Sequence, residues 1–144
     1  MVTPRKRILF LCTHNSARSQ MAEGLLRVLS NQTLDVFSAG TVATGVRLEA
    51  MAVMREIGID ISEQSSKTLE RYLNDPFDLV ITVCDSANES CPVFLNAQQR
   101  WHWSIDDPLQ AKGSEAERIS AFRRVRNKLQ RKIETDILAN KYFY

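Results

Sequence analysis

The sequence has few of the residues that staple or anchor a chain. It contains three cysteines, two histidines, five glycines and four prolines in 144 residues. Three thiols do not make the disulfide framework of a small secreted domain. The apolar run behind the basic segment Met1–Arg7 is only four residues long, which is too short for a signal-peptide core or a membrane helix. We therefore expect a cytoplasmic protein with reduced or reactive thiols.

Charge and composition exclude other classes of protein. Hydrophobic residues make up 44% of the chain and charged residues 25%, with a net charge of +2, so no broad basic footprint for nucleic acid exists. The one dense basic run alternates with an apolar stripe and is expected to be a solvated helix face; it comprises Arg118, Arg123, Arg124, Arg126, Lys128, Arg131 and Lys132. We expect one domain over residues 1–144, a monomer that binds neither nucleic acid nor membrane.

Apolar periodicity predicts strands that alternate with helices. Four short apolar runs predict strands: Ile8–Leu11, Leu34–Phe37, Leu79–Val83 and Trp101–Ile105. Helical spacing predicts helices from about Ala17 to Leu29, from about Arg47 to Ile57 with Leu48 buried and Gly58 as a left-handed cap, around Thr68–Leu73, and after a Ser114/Glu117 capping box. This alternation is typical of an α/β fold with a four-stranded parallel sheet and helices on both faces.

The segment between the first strand and the first helix has the pattern of an oxyanion-binding loop. Cys12 and Arg18 form a Cys-x5-Arg pair, a weak signal by itself because Arg is common here. Its context strengthens it, since an apolar strand precedes it, Asn15 tolerates a left-handed backbone, and a helix begins near Ser19. The helix dipole favours a thiolate at Cys12, Arg18 can donate two parallel hydrogen bonds, and the Ser19 hydroxyl can donate to the sulfur.

We therefore predict a nucleophilic Cys12 inside a loop that surrounds an oxyanion. The predicted oxyanion-binding residues are Thr13, His14, Asn15, Ser16, Ala17, Arg18 and Ser19. The alternative is a buried structural cysteine with a surface arginine.

Two further segments follow the third and fourth predicted strands, at the same edge of the sheet. Asp107, before Pro108, could protonate a leaving oxygen as a general acid, or it could be a plain turn former. Cys84 and Cys91 are seven residues apart, about 10 Å in a helix, so they could pair only if the segment unwinds or loops out. The alternative is two unrelated thiols. A structural zinc site lacks ligands at the required spacing.

The chain resembles a known family over essentially its whole length. The resemblance rests on Cys12–Gly24, Phe37–Gly40, Gly58–Ser62, Cys84 with Cys91-Pro92, and Trp103–Pro108. These segments are similar to single-domain arsenate reductases on the low-molecular-weight tyrosine phosphatase fold. The resemblance implies a triple-cysteine relay for arsenic detoxification, without a cofactor: Cys12 attacks arsenate, Cys84 attacks Cys12 and arsenite leaves, and Cys91 attacks Cys84. Thioredoxin would reduce the Cys84–Cys91 disulfide, although a glutaredoxin with glutathione or another small thiol could do so.

Two departures from the family accompany this resemblance. Ala17 stands where some members have a fourth cysteine, which is not part of the relay. Some members also bind potassium, and Asn15, Glu23 and Ser38 correspond to ligands of that site. Lys67 stands where an aspartate is expected, and its ammonium could replace the cation. We therefore assign no metal.

The alternative within the same fold is a protein tyrosine phosphatase. Cys12 would then form a phosphoenzyme and Asp107 would protonate the leaving group. Phosphatases that this chain resembles have an aromatic residue after the acid-loop proline, whereas Leu109 follows Pro108 here. Cys84 and Cys91 would have no role in that reaction. An enzyme that reduces arsenate is therefore the preferred prediction.

Overall fold

The computed structural model describes residues 4–85 and 92–144. Its strands are β1 (Arg7–Cys12), β2 (Asp35–Gly40), β3 (Phe77–Val83) and β4 (Ala97–Trp103), and its helices are α1 (Arg18–Leu29), α2 (Leu48–Arg55) and α3 (Glu115–Lys132). Three-ten turns occupy Leu69–Tyr72 and Pro108–Gln110, and a π-helical segment, Ile133–Leu138, extends α3.

The four strands form one parallel sheet in the order β2-β1-β3-β4. β1 lies inside the sheet, and all of its residues after the first are buried, which explains why it reads as a continuous apolar run. The predicted four-stranded parallel α/β fold is confirmed. Because β1 lies between two other strands, its carboxyl end is next to the loops that follow both of those strands.

The two faces of the sheet are covered differently. α1, α2 and α3 pack together on the face that carries Ile8 and Phe10. The opposite face carries Leu9 and Leu11 and is covered by the turn Leu69–Tyr72 and by Phe94. The predicted helix at Thr68–Leu73 is therefore a single three-ten turn. Within the described residues, this turn is the helical structure that covers the second face.

Several local predictions are confirmed and others are wrong. Ser114 and Glu117 form the predicted capping box at the start of α3, and Gly58 has a φ of 77°. Leu48, however, is 76% exposed, because α2 begins there and turns Ala50, Val53 and Met54 inward instead. The last strand begins earlier than predicted, at Ala97, and ends at Trp103. No helix in the described part of the chain has the length and apolarity to cross a membrane.

Candidate active site

The loop between β1 and α1 packs against the end of β2. Gly40 lies opposite Cys12 in the parallel register. A Cβ atom at Gly40 would lie 2.8 Å from both Asn15 N and Thr13 O, so only glycine fits under the loop. The next residues donate backbone hydrogen bonds to it, from Val42 N to Thr13 O at 3.0 Å among others. The loop conformation is therefore determined by β2 as well as by its own sequence.

Asn15 is the hub of the loop. It is fully buried and has the left-handed φ of 49° that its residue type tolerates. Its Nδ2 donates to Ser19 Oγ at 2.8 Å and to Ser38 Oγ at 3.0 Å. Its Oδ1 accepts from Lys67 N at 2.8 Å and from Gln20 Nε2 at 2.9 Å. Every side-chain polar atom is paired, so the amide orientation follows from its partners.

Cys12 is a buried free thiol inside this loop, with 2% of its surface exposed. Its Sγ lies 2.8 Å from Ser19 Oγ and accepts from Asn15 N at 3.3 Å. Because Asn15 Nδ2 already donates to Ser19 Oγ, the hydroxyl proton is left to point at the sulfur. Two donors, Ser19 Oγ and Asn15 N, are thus directed at Sγ, which lies at the end of β1 and before the N-terminus of α1.

Arg18 links the loop to the segment after β4. Its side chain is buried, Nη1 donates to Ile105 O at 3.1 Å, and Nη2 lies 3.8 Å from Asp107 Oδ2. Asp107 Oδ1 accepts from Leu109 N at 3.0 Å and so caps the three-ten turn Pro108–Gln110. Asp107 is thus a turn former, as one of the two alternatives predicted, and its carboxylate also lies beside Arg18; its role as a general acid stays a prediction.

Cys84 lies at the same edge of the sheet, directly after β3. The register pairs Leu11 with Thr82, so Cys84 lies one residue beyond the level of Cys12. It is buried and disulfide-bonded. Cys91, predicted as its partner, lies outside the described residues, as does most of the segment that joins the two. The sites predicted at Cys12, Arg18, Cys84 and Asp107 all come from the carboxyl ends of β1, β3 and β4 or the loops beyond them.

The residues that correspond to a potassium site do not fit the ion. Ser38 Oγ donates to Glu23 Oε1 at 2.5 Å, and Glu23 forms an ion pair with Arg27. Asn15 turns its NH2 group toward Ser38, so it offers no oxygen there. The Lys67 ammonium donates to Ser65 O, and partial burial lowers the pKa of Lys67. An arginine already compensates the carboxylate, and hard cations require oxygen ligands that these groups have committed elsewhere.

Some supporting residues escaped the sequence analysis. Gln20 Nε2 donates to the Asn15 carbonyl at 3.1 Å, and Ser66 Oγ donates to the same oxygen at 2.9 Å. Gln20 lies within the Cys12–Gly24 segment that carries the resemblance, but no local pattern assigns it this role, and no sequence signal marks Ser66. The Glu23–Arg27 pair could have been found, since i,i+4 is the spacing of a helical ion pair. His14 contributes its backbone carbonyl, which accepts from Ser66 Oγ at 3.2 Å. Within the described residues, no group of three His, Cys, Asp or Glu side chains could hold a metal ion.

Comparison with known proteins shows the family to which this chain is similar. Residues 7–139 match the family described as low molecular weight phosphotyrosine protein phosphatase. A protein of Halalkalibacterium halodurans named arsenate reductase is 47% identical over 91% of this chain and 94% of its own length.

Solved structures agree with that match. One described as an arsenate reductase in the phosphate binding state has a TM-score of 0.75 at 33% identity, covering 90% of this chain and 94% of its own. A thioredoxin-dependent arsenate reductase of Corynebacterium glutamicum has a TM-score of 0.61 at 25% identity, covering 97% of this chain and 66% of its own. The chain belongs to the low molecular weight phosphotyrosine protein phosphatase family.

Proposed function

We propose that this protein reduces arsenate to arsenite with a relay of three cysteines. The observation that carries the proposal is a buried Cys12 thiol in a loop of oxyanion-binding geometry, with the disulfide-bonded Cys84 at the neighbouring strand end. A phosphatase needs the first element only. The names of the relatives, and the phosphate-binding state of one similar structure, support an oxyanion of this shape as substrate.

In the first step, Cys12 Sγ attacks arsenic(V) and one oxygen departs. Arg18 and the backbone N–H groups at the start of α1 bind the remaining oxygens. Asp107 supplies the proton, so the oxygen leaves as water. The position of its carboxylate beside Arg18 and next to the loop supports this role.

In the second step, Cys84 Sγ attacks Cys12 Sγ and breaks the sulfur–arsenic bond. The bonding pair returns to arsenic, which leaves as arsenic(III), while the two sulfurs are oxidised to a disulfide. Cys91 then attacks Cys84, which releases Cys12 as a thiol and moves the disulfide to Cys84–Cys91. Two electrons have passed from the thiols to arsenic, and an external dithiol must return them. We propose thioredoxin as that donor, a choice supported by the similar thioredoxin-dependent enzyme.

The relay is tested with variants in which one cysteine of the relay is replaced by serine. Cys91→Ser should complete one turnover and accumulate a Cys12–Cys84 bond, whereas Cys84→Ser should form no arsenite catalytically. Both should retain any hydrolysis of an aryl phosphate, which needs only Cys12, Arg18 and the acid. Peptide mapping by mass spectrometry after one turnover identifies the linked cysteines. Free Cys84 and Cys91 thiols in the wild-type protein after arsenate turnover would refute the relay.

A tyrosine phosphatase is the second candidate, because the family matched is one of phosphatases. The Cys12, Arg18 and Asp107 arrangement would serve that reaction unchanged. Leu109, however, supplies no aromatic wall after Pro108. Turnover of arsenate compared with an aryl phosphate, with thioredoxin and its reductase supplied or withheld, separates the two. Thioredoxin should be required for the first substrate and irrelevant to the second.

A further inference from the structure

The peptide unit between His14 and Asn15 connects the sulfur of Cys12 to a neighbouring segment of the chain. At one end of this unit, Asn15 N donates to Cys12 Sγ at 3.3 Å. At the other end, the His14 carbonyl accepts from Ser66 Oγ at 3.2 Å. A trans peptide unit is planar, so its N–H and its C=O point in opposite directions. A donor that holds the carbonyl therefore also directs the N–H at the sulfur.

Ser66 contacts two consecutive carbonyls of the loop. Its hydroxyl also lies 2.9 Å from the Asn15 carbonyl, so its one proton is shared between the two oxygens. Asn15 lies between these carbonyls and has a φ of 49°, a conformation that the surrounding contacts have to maintain. Ser66 thus contacts the loop on both sides of the residue whose backbone is least favourable.

The two carbonyls differ in how much they depend on Ser66. Asn15 O also accepts from Gln20 Nε2 at 3.1 Å. A second described donor to His14 O is Thr44 N, at the longer distance of 3.4 Å. Without the Ser66 hydroxyl, the Asn15 carbonyl keeps a hydrogen bond of normal length, whereas the His14 carbonyl keeps a weak one. The peptide unit that donates to Cys12 is therefore the one that loses more of its support.

The backbone next to Ser66 is fixed independently of its hydroxyl. Lys67 N donates to Asn15 Oδ1 at 2.8 Å, and Lys67 O accepts from Gly40 N at 2.9 Å. The second of these bonds joins the segment to the end of β2. Because backbone groups make both contacts, a change in the half-buried Ser66 side chain leaves them in place.

We propose that Ser66 is a positioning residue for the nucleophile, because its hydroxyl holds the peptide unit that directs Asn15 N–H at Cys12 Sγ. The inference rests on Cys12 as the attacking atom, which the proposed function and the tyrosine phosphatase alternative share. Ser66 donates to backbone oxygens and acts on the sulfur only through them. An N–H donor to a cysteine sulfur favours the ionised form, which is the form that attacks.

The test compares three variants that differ in one hydroxyl. Ser66→Ala removes the hydroxyl and Ser66→Thr retains it. Ser65→Ala removes a neighbouring hydroxyl that is exposed and makes no hydrogen bond among the described residues. The first chemical step is measured near neutral pH by rapid chemical quench in single turnovers, with arsenate and separately with an aryl phosphate.

The expected effect is a change in rate and not in substrate affinity. In Ser66→Ala, the rate at saturating substrate should fall roughly three- to tenfold, which corresponds to the loss of about one hydrogen bond. The substrate concentration at half-maximal rate should stay within about twofold of wild type, because the lost interaction acts on the sulfur. Ser66→Thr and Ser65→Ala should both have rates within about twofold of wild type, since neither loses the bond to His14 O.

Several outcomes would overturn the inference. One is an equal rate in Ser66→Ala and Ser65→Ala, and another is a loss in Ser66→Ala that Ser66→Thr does not restore. A higher half-saturating concentration at an unchanged rate would assign the hydroxyl to oxyanion binding instead. Lower stability of Ser66→Ala in urea, with an unchanged rate, would make Ser66 a structural contact only.

The second substrate separates this inference from the proposed function. If the wild-type protein forms no arsenite but hydrolyses the aryl phosphate, the reductase proposal fails and the aryl phosphate rates still decide the role of Ser66. If the wild-type protein turns over neither substrate, Cys12 is not the nucleophile and both proposals fail.

Discussion

Asn15 offers a prediction whose sign depends on the backbone. Replacement by either glycine or alanine removes four side-chain hydrogen bonds, to Ser19, Ser38, Gln20 and the Lys67 backbone. At about 1 kcal/mol each, both variants should lose about 4 kcal/mol of the free energy of unfolding. This is a large share of the stability of a domain of this size.

The two variants should differ from each other because Asn15 has a φ of 49°. Alanine in the left-handed region costs about 1–2 kcal/mol, whereas glycine costs nothing there. Glycine loses about 0.5–1 kcal/mol through the greater freedom of its unfolded chain. Glycine should therefore be the more stable replacement by about 0.5–1 kcal/mol, the reverse of the usual order.

Urea unfolding in excess reductant measures both effects, with the slope of the transition checked for constancy. Gln32 provides the matched control. It is exposed, with a φ of 59° and no side-chain hydrogen bond among the described residues. Gln32→Gly should be more stable than Gln32→Ala without the common loss of about 4 kcal/mol. If the alanine variant at Asn15 is as stable as the glycine variant, the left-handed backbone does not cost alanine the expected free energy. If both variants are nearly as stable as wild type, the four hydrogen bonds of Asn15 do not stabilise the fold.

Three further predictions concern charged groups. Arg18→Lys should raise the KM for arsenate roughly 10- to 100-fold, because an ammonium cannot donate the two parallel hydrogen bonds that a buried guanidinium provides. Near-normal steady-state kinetics would show that Arg18 does not bind the oxyanion in this way. Asp107→Asn should slow the first chemical step about 100-fold or more in single-turnover quench assays, while the exposed Asp106→Asn stays near wild type; equal losses would mean that the turn is merely structural. Hydrogen bonds from Arg123 and Arg126 lower the pKa of Glu56 from its usual 4.5 to about 2, so its stabilising contribution is present above pH 4.5 and is lost as pH falls through about 2. Acid unfolding monitored by circular dichroism should therefore be flatter over that window in Glu56→Gln than in wild type, and parallel curves would contradict the pairing.

Local chemistry accounts for the parts of the fold that were predicted well. Ser114 and Glu117 cap α3 through bonds three residues apart, and Gly58 ends its helix with a conformation only glycine adopts freely. Leu48 was predicted wrongly because periodicity alone does not reveal which turn of a short amphipathic pattern meets the core. Leu48 is the first residue of α2 and is exposed, while Ala50, Val53 and Met54 are the residues of that helix that are buried.

The sequence by itself determined the alternation of strands and helices, the left-handed tolerance of Asn15, and the order in which Cys12, Cys84 and Asp107 follow their strands. These are properties of residues close together in the chain, so spacing and residue type suffice to predict them. Only the tertiary structure decided how the site is held. The close approach of Gly40 to the loop, the hydrogen bonds of Asn15 and the pairing of Arg123 and Arg126 with Glu56 join residues far apart in sequence. Such contacts depend on the register of the sheet and the packing of helices on it, which no local pattern encodes.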